Sequence, residues 1–421
     1  MAFGPLEILV LLSLGYALAL LAISRRRRPG PLPAADNLFF VFLIPCLNEE
    51  LVIGRTIRSL LAVPDTSFAL LVVDDGSDDR TAEIVSRCRS ERVWLLRRNG
   101  PEARRGKGAA LNAALRYLEQ ADVLAGRRPE DVVVAVFDAD GRLEHNALFE
   151  VASRFRDPKT GAVQVGVQMR NAKTNLLARL QDFEFVVFTE IFQRARERLG
   201  SVGLGGNGQF VRLSALRSLG PAPWTQCLTE DLDLGIRLLL AGWSNAYCPT
   251  TCVSQQAVTD LRRWWRQRSR WFQGQLQCWR FIPQIVGSEL SLKSRADLVW
   301  YLVMPTAILL TPLLPVLLLG GLAALAVVSP HAALEAIADH GLLFAVVYVL
   351  TFGSAYVFGV AYWLRERSSL GRSILLAHAF EVYSNLWFVA AWVAVWRLIA
   401  GKRGWAKTAR LADLSEEPGS A

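Results

Sequence analysis

The 421-residue chain has no Cys-x-x-Cys pair and only four histidines, none of them within metal-motif spacing. Zinc-finger and disulfide-framework classes are excluded on that ground. Cys46, Cys88, Cys227, Cys248, Cys252 and Cys278 read as free thiols in a reducing compartment. The polar turns of the first half carry no Gly-x-Gly-x-x-Gly fingerprint. Gly106-Lys107-Gly108 lacks the upstream glycine and the following hydroxyl of a P-loop. An RNA- or DNA-binding motif is missing too, although the net charge is +9 and the pI about 9.5. Arginines clustered beside apolar segments direct that charge to a membrane surface, and no nucleic-acid partner is expected.

What is present is apolar. Hydrophobic residues make up 52% of the chain and mean hydropathy is +0.26, while 20% of residues are charged. This mixture fits one soluble domain of about 220–250 residues joined to transmembrane helices. Residues 6–23 are apolar and, after Glu7, uncharged, which is long enough to span a bilayer. Arg25, Arg26, Arg27 and Arg28 follow, so the positive-inside rule places that end and the domain after it in the cytoplasm. A cleaved signal peptide would carry its positive cluster before the apolar run.

Three more apolar stretches, residues 298–328, 341–364 and 374–399, lie near the C-terminus. The first contains Pro305, Pro312 and Pro315 and is expected to be kinked or partly interfacial. Arg365, Arg367 and Arg372 mark the next loop as cytoplasmic. Four simple spans would then leave the tail bearing Lys402, Arg403, Lys407 and Arg410 outside, so either one stretch is re-entrant or double, or the charge bias is overridden. Glu381, inside the last stretch, is expected to face protein or water, either as a structural partner or in a functional role.

Between these ends, apolar runs alternate with polar turns and helical stretches. Residues 38–44, 68–73 and 132–136 read as buried strands and residues 93–96 as a further strand, the βαβ pattern of a parallel sheet with ligand affinity at its C-terminal edge. Further on, residues 161–171 alternate at period two and are expected to form a half-exposed strand, and residues 174–198 a long amphipathic helix. The glycine-dense turn at 203–208 lets backbone approach a substrate closely. Residues 228–238 open a helix with Thr229 as a cap and acids in the first turn, where the dipole favours them. Residues 261–273 alternate tryptophan with arginine on an expected interfacial helix.

Each polar turn supports a chemical and a purely structural reading. Asp138 and Asp140 end the fourth strand, with Gly141 behind them. Two hard oxygen ligands on a turning backbone can converge on Mg2+ or Mn2+, but they also suit a solvated turn. Asp74 and Asp75 can accept from a uracil edge and ribose, or cap the next helix. Lys107 can reach a phosphate or sit on a solvated loop, and Asn48 and Glu49 can bond a base or open a helix. Asp231 can face a cleft or serve as a cap. The tryptophan–arginine helix can bind a diphosphate and a sugar ring, or anchor in lipid headgroups.

Taken together and in this order, several motifs resemble those of the membrane-bound family 2 glycosyltransferases, which include cellulose, chitin and hyaluronan synthases and glycolipid glucosyltransferases. They are Pro45 with Asn48 and Glu49, Asp74-Asp75-Gly76-Ser77, Lys107 in its glycine loop, Asp138-Ala139-Asp140, Thr229-Glu230-Asp231 and Gln267-Arg268-Ser269-Arg270-Trp271. The resemblance covers residues 38–280. It implies an α/β fold with a GT-A type, Rossmann-like sheet domain in the cytoplasm and α-helical transmembrane segments at both ends. The expected division is an N-terminal helix and basic stop at 1–28, the GT-A domain at 37–257, and interfacial helices at 258–292. About three transmembrane helices at 296–400 and a basic then acidic tail at 401–421 would follow.

The resemblance also implies a UDP-sugar donor, Mg2+ or Mn2+, and inversion at the anomeric carbon. By position, Asp231 resembles the general base with Glu230 beside it. Pro45, Asn48, Glu49, Asp74, Asp75, Lys107 and Asp138 resemble the nucleotide site, and Asp138 with Asp140 the metal pair. Arg268 and Arg270 resemble diphosphate binders. Gln267, Trp271, Gly206, Asn207 and Gln209 lie toward the acceptor. One departure is Leu47, where matching synthases often carry an aromatic that could stack on the base. In the implied mechanism Asp231 takes a proton from the acceptor hydroxyl as it attacks C1, while metal and arginines stabilise the leaving UDP.

Two acceptors remain open. The Gln-x-x-Arg-Trp motif inclines the expectation toward a growing polysaccharide, with a homo-oligomer or an accessory export subunit as partner. The alternative is a single glycosylation of a membrane lipid such as diacylglycerol or a polyprenyl phosphate. It draws on the few spans and on Gly206-Asn207-Gly208-Gln209-Phe210 with Trp224, which resembles the glycolipid-forming branch. A non-catalytic nucleotide-binding scaffold is the remote third reading, and the presence of every expected acid argues against it. The expected setting is a multi-pass protein of the cell (plasma) membrane with its catalytic domain in the cytoplasm.

Overall fold

The computed structural model describes residues 5–25, 37–65, 67–366 and 369–402. Arg26, Arg27, Arg28, the linker at 29–35, Arg367 and the tail from Arg403 onward lie outside the described residues.

The sheet grows from the most apolar runs of the soluble part. Its strands are β1 (Phe39–Cys46), β2 (Phe68–Asp74), β3 (Val93–Arg97), β4 (Val132–Val136), β5 (Arg142–Leu143), β6 (Thr160–Met169), β7 (Gln209–Arg212) and β8 (Ser244–Gln255). They lie in the order β3-β2-β1-β4-β7-β6-β8-β5. The first four run parallel, as their strand–turn–helix repeats predict. The sheet as a whole is mixed, because β7 is antiparallel to both β4 and β6 while β8 is parallel to β6. From β1 the chain winds outward through β2 and β3, then returns to place β4 on the other side of β1. Such a reversal leaves a crevice at the carboxyl ends of the two strands, where ligands bind in open α/β sheets.

Period-two alternation sends successive side chains into two cores. Phe40, Phe42 and Ile44 face one, under the helices Ile53–Leu61 and Ala147–Arg154. Val41 and Leu43 face the other, under Lys107–Gln120, Leu213–Ser218 and Glu230–Leu240. Phe42 meets Phe68, Phe137 and Phe210 edge to face at 5.9, 5.7 and 6.2 Å. Pairs of this geometry add about 0.5–1.5 kcal/mol each beyond simple burial.

β6 departs from its expected half-exposure. Its period-two pattern is real, but every residue from Thr160 to Met169 except Gln168 is buried. The reason is its interior position between β7 and β8. The polar Gln164 is satisfied inside the sheet, donating from Nε2 to the Asn207 carbonyl at 2.9 Å and accepting from Gly205 N–H at 2.8 Å. The long helix after β6 forms as Leu176–Val187 and Arg194–Leu199 around one wide turn, Phe188–Gln193.

The proline-bearing stretch breaks as expected, into the helix Leu292–Val303, a 3-10 segment Met304–Leu309 and the helix Leu313–Val328. Among the described residues two helices are long and apolar enough to cross a membrane, Phe344–Glu366 and Leu370–Ile399, and both are C-terminal. The N-terminal helix Pro5–Ser24 contributes the shorter apolar stretch Leu11–Ser24. Among the described residues, these two C-terminal helices are the ones that meet the expectation of spanning segments. Glu381 accepts a hydrogen bond from Ser354 Oγ at 2.6 Å, a partner on the neighbouring helix. All six cysteines are free thiols.

The tryptophan–arginine helix spans Leu261–Gln277 and is packed against the C-terminal helices. Trp264 is fully buried, donates to Tyr383 Oη at 2.8 Å and meets Trp387 edge to face. This tryptophan therefore anchors protein to protein.

Candidate active site

A cavity of about 590 Å3 opens at the carboxyl ends of β1 and β4. Pro45, Leu47, Glu49, Asp75 and Asp138 line it from the sheet, while Tyr301, Pro305, Ile308 and Trp387 line it from the C-terminal helices. Lys107, Glu230, Asp231 and Arg270 share the same walls.

Lys107 begins its helix directly after Gly106, whose φ of 99° is a conformation that glycine adopts without strain. Its ammonium lies 2.8 Å from Asp138 Oδ1, 2.5 Å from the Gly206 carbonyl and 3.9 Å from Glu230 Oε1. Burial alone would lower its pKa, but Asp138, Glu230 and Asp231 outweigh that effect and raise it, so Lys107 stays charged. Glu230 and Asp231 occupy the first turn of the helix Glu230–Leu240. Burial, reinforced by Asp231 and opposed by Lys107 and Arg270, pushes Glu230 up to about 7. Burial also raises Asp231. The two acids thus hold protons more readily than isolated carboxyls, each raised by its burial and their titrations linked by proximity. Thr229 stands at the N-cap position, but its side chain makes no capping bond.

Motif pairs divide their labour in a way that spacing does not reveal. Asp75 lines the cavity and is paired with Arg98. Asp74 is fully buried in its own turn, with Oδ1 accepting from Ser77 N–H at 2.9 Å and Oδ2 3.3 Å from Arg97 Nε, and it is not among the lining residues. Glu49 lines the cavity. Asn48, at φ 54°, instead ties two loops together, donating its N–H to Ser77 Oγ and accepting from Asp78 N–H, both at 2.9 Å. Asp138 faces the cavity, whereas Asp140 is 1% exposed, accepts from Gln256 N–H at 3.0 Å and does not line it. In each pair one member reaches the cavity and the other braces a loop.

On the expected acceptor side, Gly206, Asn207, Gln267, Arg270 and Trp271 line the cavity. Gln209 does not, because it lies in β7 and is fully buried. Asn207 accepts from Asp138 N–H at 3.2 Å and donates to Gln255 Oε1 at 2.8 Å, so it positions the strand end. Arg270 Nη1 donates to the Leu228 carbonyl at 3.2 Å. Arg268 is 1% exposed. Its Nη2 lies 2.6 Å from Glu184 Oε2, and its guanidinium sits 4.1 Å from the Trp271 ring centre. These partners set it toward Tyr383 and the C-terminal helices. Sequence reasoning missed Glu184, Gln164, Gln255 and the membrane-side wall. A lone acid between Phe183 and Phe185 is the signal that could have marked Glu184.

Away from the cavity, Cys227, Asp233 and Cys278 cluster closely, but Asp233 is already committed to Arg237 and Arg280.

The model of the Glycosyltransferase like family 2 matches residues 37–274. Beta-monoglucosyldiacylglycerol synthase of Trichormus variabilis (strain ATCC 29413 / PCC 7937) is 32% identical over 317 residues, 72% of this chain and 63% of that protein. This chain therefore spans less than two thirds of that relative's length. Poly-beta-1,6-N-acetyl-D-glucosamine synthase of Staphylococcus aureus (strain COL) is 28% identical over 236 residues, 55% of this chain and 53% of that protein. Among solved structures, the mannosyltransferase PcManGT from Pyrobaculum calidifontis superposes with a TM-score of 0.57 at 19% identity, covering 91% of this chain and 99% of that one. The last likeness concerns the fold, a GT-A-like mixed sheet domain. With its motifs in register around one cavity and the family match over more than half its length, this chain belongs to the family 2 glycosyltransferases.

Proposed function

We propose that the chain transfers one sugar from a UDP-sugar to the hydroxyl of a membrane lipid, with UDP-glucose and diacylglycerol as the first pair to test. The observation that carries this reading is the continuity of the cavity, from the polar turns at the ends of β1 and β4 to Tyr301, Pro305, Ile308 and Trp387 on the C-terminal helices. An acceptor with an apolar body and a hydroxyl head fits such a path. The likeness to beta-monoglucosyldiacylglycerol synthase supports the same choice. The polysaccharide reading, first on sequence alone, gives way to it. Two apolar helices, together with the N-terminal helix as a membrane anchor, would hold the domain at the bilayer surface.

In this proposal Asp75 and Glu49 receive the uridine, and Asp231, with Glu230 beside it, takes the proton of the acceptor hydroxyl as that oxygen attacks C1. Asp231 Oδ1 holds the Leu232 N–H at 2.9 Å, which fixes the carboxylate in place. Lys107 and Arg270 favour the ionised form of the acids and place positive charge beside the departing diphosphate. The donor set at the strand end suits a hard divalent ion: Asp138 already holds a cationic nitrogen, and a second carboxylate lies two residues on. Mg2+ or Mn2+ held by Asp138, with Asp140 behind it, would offset charge on the leaving group.

The test is to incubate membranes containing the protein with labelled UDP-sugars and separate the products by solvent extraction. Label in the organic phase is the expected result, whereas high-mass aqueous label would return the polymer reading.

A further inference from the structure

We propose that Glu184 and Arg268 form a charge-neutral docking site at the membrane end of the cavity that selects an uncharged lipid acceptor over an anionic one. This rests on the lipid-acceptor reading and adds the chemistry of the acceptor headgroup.

Arg268 lines the cavity and is almost completely buried. Of its guanidinium nitrogens only Nη2 is engaged, by Glu184 Oε2 at 2.6 Å and, at 3.4 Å, by Tyr383 Oη. Nε and Nη1 have no hydrogen-bond partner among the described residues. Both nitrogens are closed off from the cavity, and the rings of Trp264, Trp271 and Trp387 surround the guanidinium. The arginine plane is held by Trp271 at 4.1 Å and Trp387 at 5.2 Å, so the ion pair is fixed in place. Tyr383 ties the pair together, donating to Glu184 Oε2 at 2.8 Å while accepting from Trp264 Nε1.

Charge decides what the pair accepts. A lone buried arginine would favour a phosphate. Here Glu184 also lines the cavity, and its carboxylate cancels the arginine charge at contact distance. A phosphate brought to Arg268 would meet Glu184 in a poorly screened setting. A hydroxyl meets no such opposition and can donate to Glu184, whose side chain is 19% exposed. The apolar side chains of Phe185, Phe188 and Ile308 on the same walls suit the acyl chains attached to such a group. Glu184 is thus a specificity-determining residue, while Asp231 is the proton acceptor.

The experiment uses the full chain in phosphatidylcholine vesicles with labelled UDP-glucose, offering either dioleoylglycerol or dioleoylphosphatidylglycerol, which bears its hydroxyls beside a phosphate. Wild type is expected to glycosylate the neutral lipid preferentially. Glu184→Gln keeps the side-chain volume and removes the opposing charge, so the neutral-to-anionic rate ratio should fall about tenfold, with KM for UDP-glucose unchanged. Tyr383→Phe removes only the hydroxyl that orients the pair and should raise KM for dioleoylglycerol several-fold without moving KM for the donor. An unchanged ratio in Glu184→Gln, with lipid glycoside still formed, overturns this inference alone. Preference of wild type for the anionic lipid overturns it as well. Polymer or no lipid product from wild type overturns it together with the lipid-acceptor reading.

Discussion

Gly274 packs directly on Thr229: a Cβ at Gly274 would lie 2.6 Å from both the amide nitrogen and the hydroxyl of Thr229. The helix bearing Gln267, Arg270 and Trp271 therefore rests, without a side chain between, on the residue that precedes Glu230 and Asp231. The backbone atom in this contact cannot swing aside. Gly274→Ala should separate the two elements, at a cost typical of overpacking, about 1–3 kcal/mol. The expected outcome is a strong loss of kcat with a smaller effect on UDP binding. Gly287→Ala, whose nearest atom would be an ordinary 3.5 Å away, serves as the comparison. Equal activity of the two variants would show that this contact does not position the acids.

Asp231→Asn should lower turnover about 10²–10⁴-fold, the range for loss of a general base, while leaving UDP affinity nearly intact. The check is kcat by product extraction beside a direct UDP titration. Full turnover in the variant would remove Asp231 from the proposed role.

The pH profile follows from the raised acids. A proton acceptor must be ionised, so kcat/KM should rise with pH along an acid limb above the ordinary aspartate value of 3.8, because burial has raised Asp231 and has pushed its neighbour Glu230 up to about 7. Glu230→Gln removes the like charge and should move the limb to lower pH. Lys107→Met removes a cation that favours ionised acids and should move it to higher pH. Shifts of the same sign in both variants would contradict the pairing.

Asp138→Asn should abolish the manganese-dependent part of UDP binding, read by titration with and without the ion. Asp140→Asn distinguishes two roles. Loss of the manganese response places Asp140 at the metal, whereas an unaltered response assigns it to holding the Gln256 amide.

Gly206 leaves open the space between Asp231 and Lys107. A Cβ there would sit 3.3 Å from Asp231 Oδ2 and 3.4 Å from Lys107 Nζ. Gly206→Val should lower kcat/KM at least about tenfold, in line with a displacement on the order of 1 Å at reacting groups. The melting temperature should change little, since both neighbours end flexible or semi-exposed side chains. Wild-type kinetics in this variant would mean that substrate does not pass this point.

Much of the frame was legible because it depends on local periodicity. The runs at β1, β2 and β4 read as strands of a covered parallel sheet, and the acids that follow them lie at its C-terminal edge. The half-exposure expected of β6 failed because alternation reports pleating, while burial depends on neighbours, and β7 and β8 lie far off in the chain. Arg268 shows the same dependence on tertiary packing. Spacing put it in a motif beside Arg270, but residues two apart on a helix project differently, and only the packed helices show Arg268 turned to Glu184 and Tyr383.

The sequence alone determined the family, the strand-end acids and the order of the chemistry, because each depends on residue type at short spacing. Tertiary structure decided which member of each pair faces the cavity: Asp75 over Asp74, Glu49 over Asn48, Asp138 over Asp140. It also decided where the cavity leads. The contacts that join Lys107 to Asp138, Glu184 to Arg268 and Trp264 to Tyr383 span 31, 84 and 119 positions. Interactions over such separations arise from the closure of the whole fold and leave no period in the chain.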